Sequence, residues 1–387
     1  MRLQNKIKKA AVCFASAAVF LLAGAGLQRL VEPKYIDVPE GNFTAEYYDE
    51  TLPHDVLLIG DCEVYENIDP IYLWRRYGIT SYIRGNAEQL AWHSYYMLED
   101  ALRYETPRVV VYNVQALTCR KPHKEEYNRM ALDGMRWSAT KIHAIQHSRC
   151  EGEQMMEYIF PILRYHSRVL ELSMDDLRYF RKPKRVTHNG YYMRVDVLPV
   201  SESDVADPSW LLDGEEQQDE IEDPWAQIEE AGEEADVPEE REQGEPFGSL
   251  PMEYLERIRK LCEAHDIQLI LMKAPSLAPV WYDSDEEQVQ AYARVRRLPY
   301  INFYEHLEET GIDYETDSYD GGLHMNRSGA DKLSEYLGRV LTETYGIPDH
   351  RGEKKYAGVY REKEKFYEEM IQGQKEELEK YGEIRSY

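Results

Sequence analysis

Four apolar residues in a row, Val56, Leu57, Leu58 and Ile59, stop abruptly at Gly60 and lead into Asp61 and Cys62. A run that short, without polar alternation, suits a strand buried on both faces, as the strands of parallel sheets are. Similar runs recur at residues 81–84, 109–113, 267–272 and 300–304. Between the second and third, Leu90, Ser94, Leu98, Ala101 and Leu102 repeat at helical spacing; Ala330, Leu333, Leu337, Val340 and Leu341 do so near the end. Parallel strands need crossovers of this kind. The pattern predicts an α/β fold with a central parallel five-stranded sheet and helices on both sides.

The amino terminus is of another kind. Arg2, Lys6, Lys8 and Lys9 make a basic start, and residues 10–27 then run without a charge. That is close to the ~20 residues that cross a bilayer, with the positive end expected inside. Residues 1–31 are therefore read as a cytoplasmic start plus a transmembrane helix, single-pass at the cell membrane, with the rest of the chain extracytoplasmic. A cleavable signal peptide is the rival, with Ala23-Gly24-Ala25 as a small-residue cleavage site, but the apolar run is longer than a usual signal core.

The net charge of -26 is concentrated. Residues 201–250 hold nineteen Asp or Glu against one Arg, which leaves only -8 for the remainder. Such a segment has too little apolar content to fold and is expected to be a disordered tether. Nucleic acid is excluded as a partner for so acidic a chain. Residues 120–200, rich in Tyr, Arg and His, read as a helical insertion over the active face. Residues 351–387 alternate acidic and basic residues and read as a charged, solvated helical tail.

Five cysteines in 387 residues are too few for a disulfide framework. Cys13 lies in the apolar run, and Cys262 is in phase with Leu255 and Ile258 on a helix, where packing is its expected role. The sequence does not decide whether Cys119 and Cys150 pair. Cys62 stands apart because it falls where a strand turns into a helix. Residues just beyond a parallel strand's carboxyl end face the ligand crevice, and a helix N-terminus there favours a thiolate. The blander reading is a small core residue. As a nucleophile Cys62 would have a pKa below that of a free thiol.

The second informative stretch, residues 317–330, reads Asp-Ser-Tyr-Asp-Gly-Gly-Leu-His-Met-Asn-Arg-Ser-Gly-Ala. A thiol nucleophile needs a base, and the base needs an acid to fix its tautomer. His324 is the candidate base. Asp320 is the candidate acid, brought back by a turn through Gly321 and Gly322, with Asp317 as the fallback. On the blander reading Asp317, Asn326 and Ser328 are turn and cap residues. No metal motif and no Gly-rich phosphate loop occur, so no cofactor and no metal are expected. The thirty-one tyrosines could stack on sugars, although Tyr is also an ordinary core residue.

Taken together, the two stretches resemble the SGNH/GDSL hydrolase family over about residues 52–345. Gly60-Asp61-Cys62 looks like the family's Gly-Asp-Ser, with Cys62 at the nucleophile position, and Asp320 with His324 looks like its terminal Asp and His. The resemblance implies a three-layer flavodoxin-like fold. It places Gly85 and the amide of Cys62 in the oxyanion hole, with Asn113, Gln115 or Asn86 as a further donor. It also implies an esterase or O-acyltransferase acting on an acylated envelope glycan or small ester, like the anchored proteins that move acyl groups onto wall polymers. The sequence departs from the family in having Cys for Ser, in lacking Gly-x-Asn-Asp after the third strand, and in spacing the terminal acid four residues from the His. The alternative is a non-catalytic domain of the same fold that binds envelope glycan or a membrane partner. Oligomeric state is not readable.

Overall fold

The computed structural model describes residues 2–36, 38–122, 124–182, 184–200 and 244–385, with side chains from residue 9 onward. It divides into two compact units: Met1–Val38 with Glu151–Lys184, and Pro39–Cys150 with Arg185–Tyr387.

The larger unit is built on five parallel strands, β1 Val56–Gly60, β2 Ser81–Gly85, β3 Val109–Asn113, β4 Gln268–Lys273 and β5 Tyr300–Asn302, in the order β2-β1-β3-β4-β5. All five expected strands are present, shifted by at most two residues at an end. The expectation of both faces being covered is met residue by residue. Val56, Leu58, Val109, Val111, Ile270 and Met272 point into one core. Their neighbours Leu57, Ile59, Val110, Tyr112, Leu269 and Leu271 point into the other. The first core is closed by the helices Pro70–Tyr77, Arg327–Glu343 and Lys354–Tyr381, and the second by Ala91–Ala101, Ser249–Ala264 and Asp283–Arg296. This is why the strands read as unbroken apolar runs.

Local signals fix the helix ends. Asp69 accepts from the amides of Ile71 and Tyr72 at 2.7 and 3.1 Å, Pro70 opens the helix, and Gly78 closes it in the left-handed region at φ 71°. Asn326 likewise accepts from Ser328 and Gly329 at the start of Arg327–Glu343. The strand order reverses direction of travel between β1 and β3, so the crevice beyond their carboxyl ends is the natural ligand position. Cys62 follows β1 there, and Asn113 ends β3 there.

The tail differs from the solvated helix expected. Lys354–Tyr381 is helical but buries Tyr356, Tyr360, Lys363, Tyr367, Ile371 and Gln374. These fall three or four residues apart, a stripe that the abundant charges on the other faces conceal. Tyr360 stacks on Trp74 at 4.0 Å, and Lys363 pairs with Glu50 at 2.5 Å. The acidic segment lies outside the described residues up to 243. Its last two residues, Ser249 and Leu250, already belong to the helix Ser249–Ala264.

In the smaller unit, helix Arg2–Val31 contains a stretch, Lys9–Val31, of 23 residues with mean hydropathy 2.2 and none of its most apolar window buried. Its length and composition suit a membrane span and a signal sequence alike. All five cysteines are free.

Candidate functional site

The site begins with close backbone approach. A Cβ at Gly60 would lie 2.6 Å from Val64 Cγ2 and 2.7 Å from Asn113 Cβ, so only glycine lets the turn Cys62–Tyr65 fold back over the strand ends. Asp61 then caps that turn, accepting from the Glu63 amide at 3.2 Å and from Asn113 Nδ2 at 2.9 Å. Cys62 is the first helical residue and is half-buried.

Across the crevice, residues 318–325 form a turn closed by pairing of Ser318 with Met325. Gly322 has φ 92°, and a Cβ there would lie 2.4 Å from Leu277 Cδ1. The Met325 amide donates to Asn67 Oδ1 at 2.7 Å, which ties the turn to the segment after β1. Inside the turn, Asp320 receives the backbone amide of His324 on Oδ1 at 2.8 Å and approaches His324 Nδ1 with Oδ2 at 2.6 Å. The His324 ring and the Cys62 thiol are near enough to shift each other's proton affinity, the ring pulling the thiol down and the thiolate pulling the ring up. The structure thus brings Cys62, His324 and Asp320 together. Asp317, the fallback acid, is fully buried and committed elsewhere, to Lys332 Nζ at 2.5 Å and the Asp313 amide at 2.8 Å.

The other named positions are placed as follows. Gly85 ends β2 directly opposite Gly60. Asn113 spends its amide on two carboxylates, Asp61 at 2.9 Å and Glu63 at 3.1 Å. Asn86 donates to the carbonyls of Glu40 and Met130 at 3.0 and 3.2 Å. Gln115 is buried at the start of the 3₁₀ turn after β3.

Two groups that sequence reading missed shape the electrostatics. Glu66 is buried, accepts from the Tyr319 hydroxyl, and lies 3.8 Å from His324 Nδ1. Its place four residues after Cys62, on the same side of a helical turn, was the available signal. The second is a buried ion pair, Glu63 with Lys273 at 2.6 Å, which joins the end of β4 to the turn that carries Cys62. No local pattern announces it, because the partners are 210 residues apart.

Proton affinities follow from these neighbours. Burial pushes the Cys62 thiol up to about 12, against the pull of His324, and the Asp61 and Glu66 carboxylates push the same way. The thiol pKa is thus raised, opposite to the expected fall. The physical reason is burial first and then the two carboxyl groups alongside, which the helical turn that Cys62 opens, only four residues long, does not offset. Burial alone would lower the His324 ring, but Glu66, Cys62 and Asp320 raise it well above the ordinary range. Burial also raises Asp61 and Glu66, each to about 7.

Among the described residues, no cluster of three or more His, Cys, Asp or Glu side chains is arranged to hold a metal ion. What the geometry offers is proton exchange between a thiol and an imidazole oriented by a carboxylate. No family model matches the chain, and no curated protein matches it.

Proposed function

We propose that this is a membrane-anchored, extracytoplasmic domain of the SGNH/GDSL type, flavodoxin-like in its layers, that cleaves or transfers an ester-linked acyl group of the cell envelope. The observation that carries the reading is His324, held by Asp320 on Nδ1 at 2.6 Å and electrostatically linked to the Cys62 thiol. The order of the motifs along the chain and the five-stranded parallel sheet support it.

The chemistry is as follows. Glu66 and Asp320 favour the imidazolium, so the His324 ring takes the thiol proton as Cys62 attacks, and the thiolate forms beside an imidazolium. The Cys62 sulfur attacks the acyl carbon and forms a tetrahedral oxyanion, which the Cys62 and Gly85 amides receive. Collapse breaks the ester C–O bond, and the departing alkoxide takes the proton from His324. Water or an acceptor hydroxyl then gives its proton to His324 and attacks the thioester carbon, which restores the thiolate. Asp320 keeps the ring oriented throughout.

A second reading, a non-catalytic domain that binds envelope glycan or a membrane partner, is favoured by two observations: burial raises the thiol, and the Asn113 amide is already occupied. An activated ester separates the two. On incubation with p-nitrophenyl acetate, intact-mass analysis should find one acetyl group on Cys62 that neutral hydroxylamine removes, and none in Cys62→Ala. Failure of the parent to acquire the thioester at any pH between 6 and 10 would remove the catalytic reading and leave the binding one.

A further inference from the structure

The smaller unit exposes what a water-soluble surface normally hides. In and between its short helices Met155–Ile159, Ile162–Tyr165 and Met174–Arg178 and the 3₁₀ turn His166–Leu170, the side chains of Ile159, Phe160, Leu163, Leu170, Met174 and Leu177 are exposed; Leu170 is 93 % and Met174 77 % accessible. So many exposed large apolar side chains within about twenty residues of sequence mark a partner of some sort. Helices of four or five residues do not persist by themselves, so something must hold them.

What holds them is the end of the apolar helix. The helices Ile162–Tyr165 and Met174–Arg178 and the turn His166–Leu170 all pack on Arg2–Val31. Arg168 Nη1 donates to the Val31 carbonyl at 2.7 Å, and Arg29 Nε donates to the Phe180 carbonyl at 3.0 Å. Lys34 Nζ adds bonds to the carbonyls of Arg29 and Glu32 at 2.7 and 2.5 Å. The last carbonyls of a helix lack partners within it, and near hydrocarbon an unpaired carbonyl is costly. Here basic side chains meet them. Arg168 and Phe180, which flank Leu170, Met174 and Leu177 in the chain, are thus fixed where the apolar helix ends.

Charge points the same way. Residues 151–184 carry six Lys or Arg and six Asp or Glu, close to neutral in a chain whose net charge is -26, and the segment ends on three cations, Arg181, Lys182 and Lys184. Apolar side chains beside Arg and Lys, in short helices, are the composition of elements that lie in the headgroup–acyl boundary of anionic membranes.

We propose that residues 155–178 are a membrane-seating surface, inserted into the interfacial layer of the leaflet in which the helix Arg2–Val31 ends. The occupant is lipid, because the elements that carry these residues pack on a helix whose own span is apolar all round. The inference rests on that helix being a retained anchor.

The test uses the full chain reconstituted in vesicles of phosphatidylcholine and phosphatidylglycerol, with an apolar photoactivatable probe dissolved in the acyl region and labelled residues mapped by mass spectrometry. The expected result is labelling of Phe160, Leu163, Leu170, Met174 and Leu177 within several-fold of that of Phe14 and Phe20 in the anchor. Labelling of Phe14 and Phe20 with residues 155–178 at the dark-control level would mean that protein covers this face, and would overturn the proposal while the anchor stands. Absence of labelling in both would overturn both. Labelling of 155–178 alone would remove the anchor and overturn the proposal as stated, because the surface is placed in the leaflet in which an inserted helix ends.

Discussion

Two thiols on opposite faces of the sheet are both pushed up to about 12, and they differ in everything that matters for chemistry. Cys262 lies in the apolar cluster with Leu255, Ile258, Ile267 and Leu269, and burial is the sole cause of its shift. Cys62 reaches the same value through a contest in which His324 pulls down while burial, Asp61 and Glu66 push up. A raised thiol pKa therefore does not separate a packing cysteine from a candidate nucleophile; its neighbours do. The Cys62 region is a buried polar network, costly to assemble and sensitive to any change of charge. The Cys262 region is an apolar pack that responds to volume.

The comparison sharpens first at Lys273. Lys273→Met strands the Glu63 carboxylate, and breaking a buried pair from one side costs roughly 3–5 kcal/mol. Urea unfolding should show that loss, and a loss under about 1 kcal/mol would mean the pair is dispensable.

The next effect is a pH dependence that two buried carboxyl groups give the Cys62 side. Asp61 and Glu66 have folded values of about 7, above those of the unfolded chain. The native state therefore binds more protons between about pH 4 and 7. Their stabilising contribution is complete below the unfolded values and is lost as the pH rises through 7. The melting midpoint should fall from pH 5 to pH 8, by the equivalent of roughly 2–3 kcal/mol per group. Asp61→Asn should flatten that slope, whereas a slope equal in parent and variant would remove Asp61 from the account.

The smallest effect lies on the apolar side. Ile258→Val, one turn from Cys262, should cost about 1 kcal/mol with no change in pH profile. A changed profile would show that the two faces are coupled.

The sequence made the sheet legible because each strand is buried on both sides and so declares itself as an apolar run. The turn from Asp320 to His324 was legible because two glycines separate the acid from the ring. The rest was hidden for identifiable reasons. The Glu63–Lys273 pair joins residues 210 positions apart. The upward shift of Cys62 depends on burial, which no short motif encodes. The tyrosine stripe of Lys354–Tyr381 is masked by charges on its other faces, and the association of residues 151–184 with the amino-terminal helix is a tertiary fact without a local pattern.

The central claim, that His324 acts on Cys62 and distinguishes it from Cys262, is tested most directly by iodoacetamide labelling of the two cysteines against pH, in the parent and in His324→Ala. In the parent, Cys62 labelling should rise with pH and exceed that of Cys262 by at least about tenfold, because a pair with imidazolium supplies thiolate that burial alone denies. In His324→Ala the Cys62 profile should move to higher pH and fall towards that of Cys262. Equally slow labelling of Cys62 in both proteins, indistinguishable from Cys262, would contradict the account.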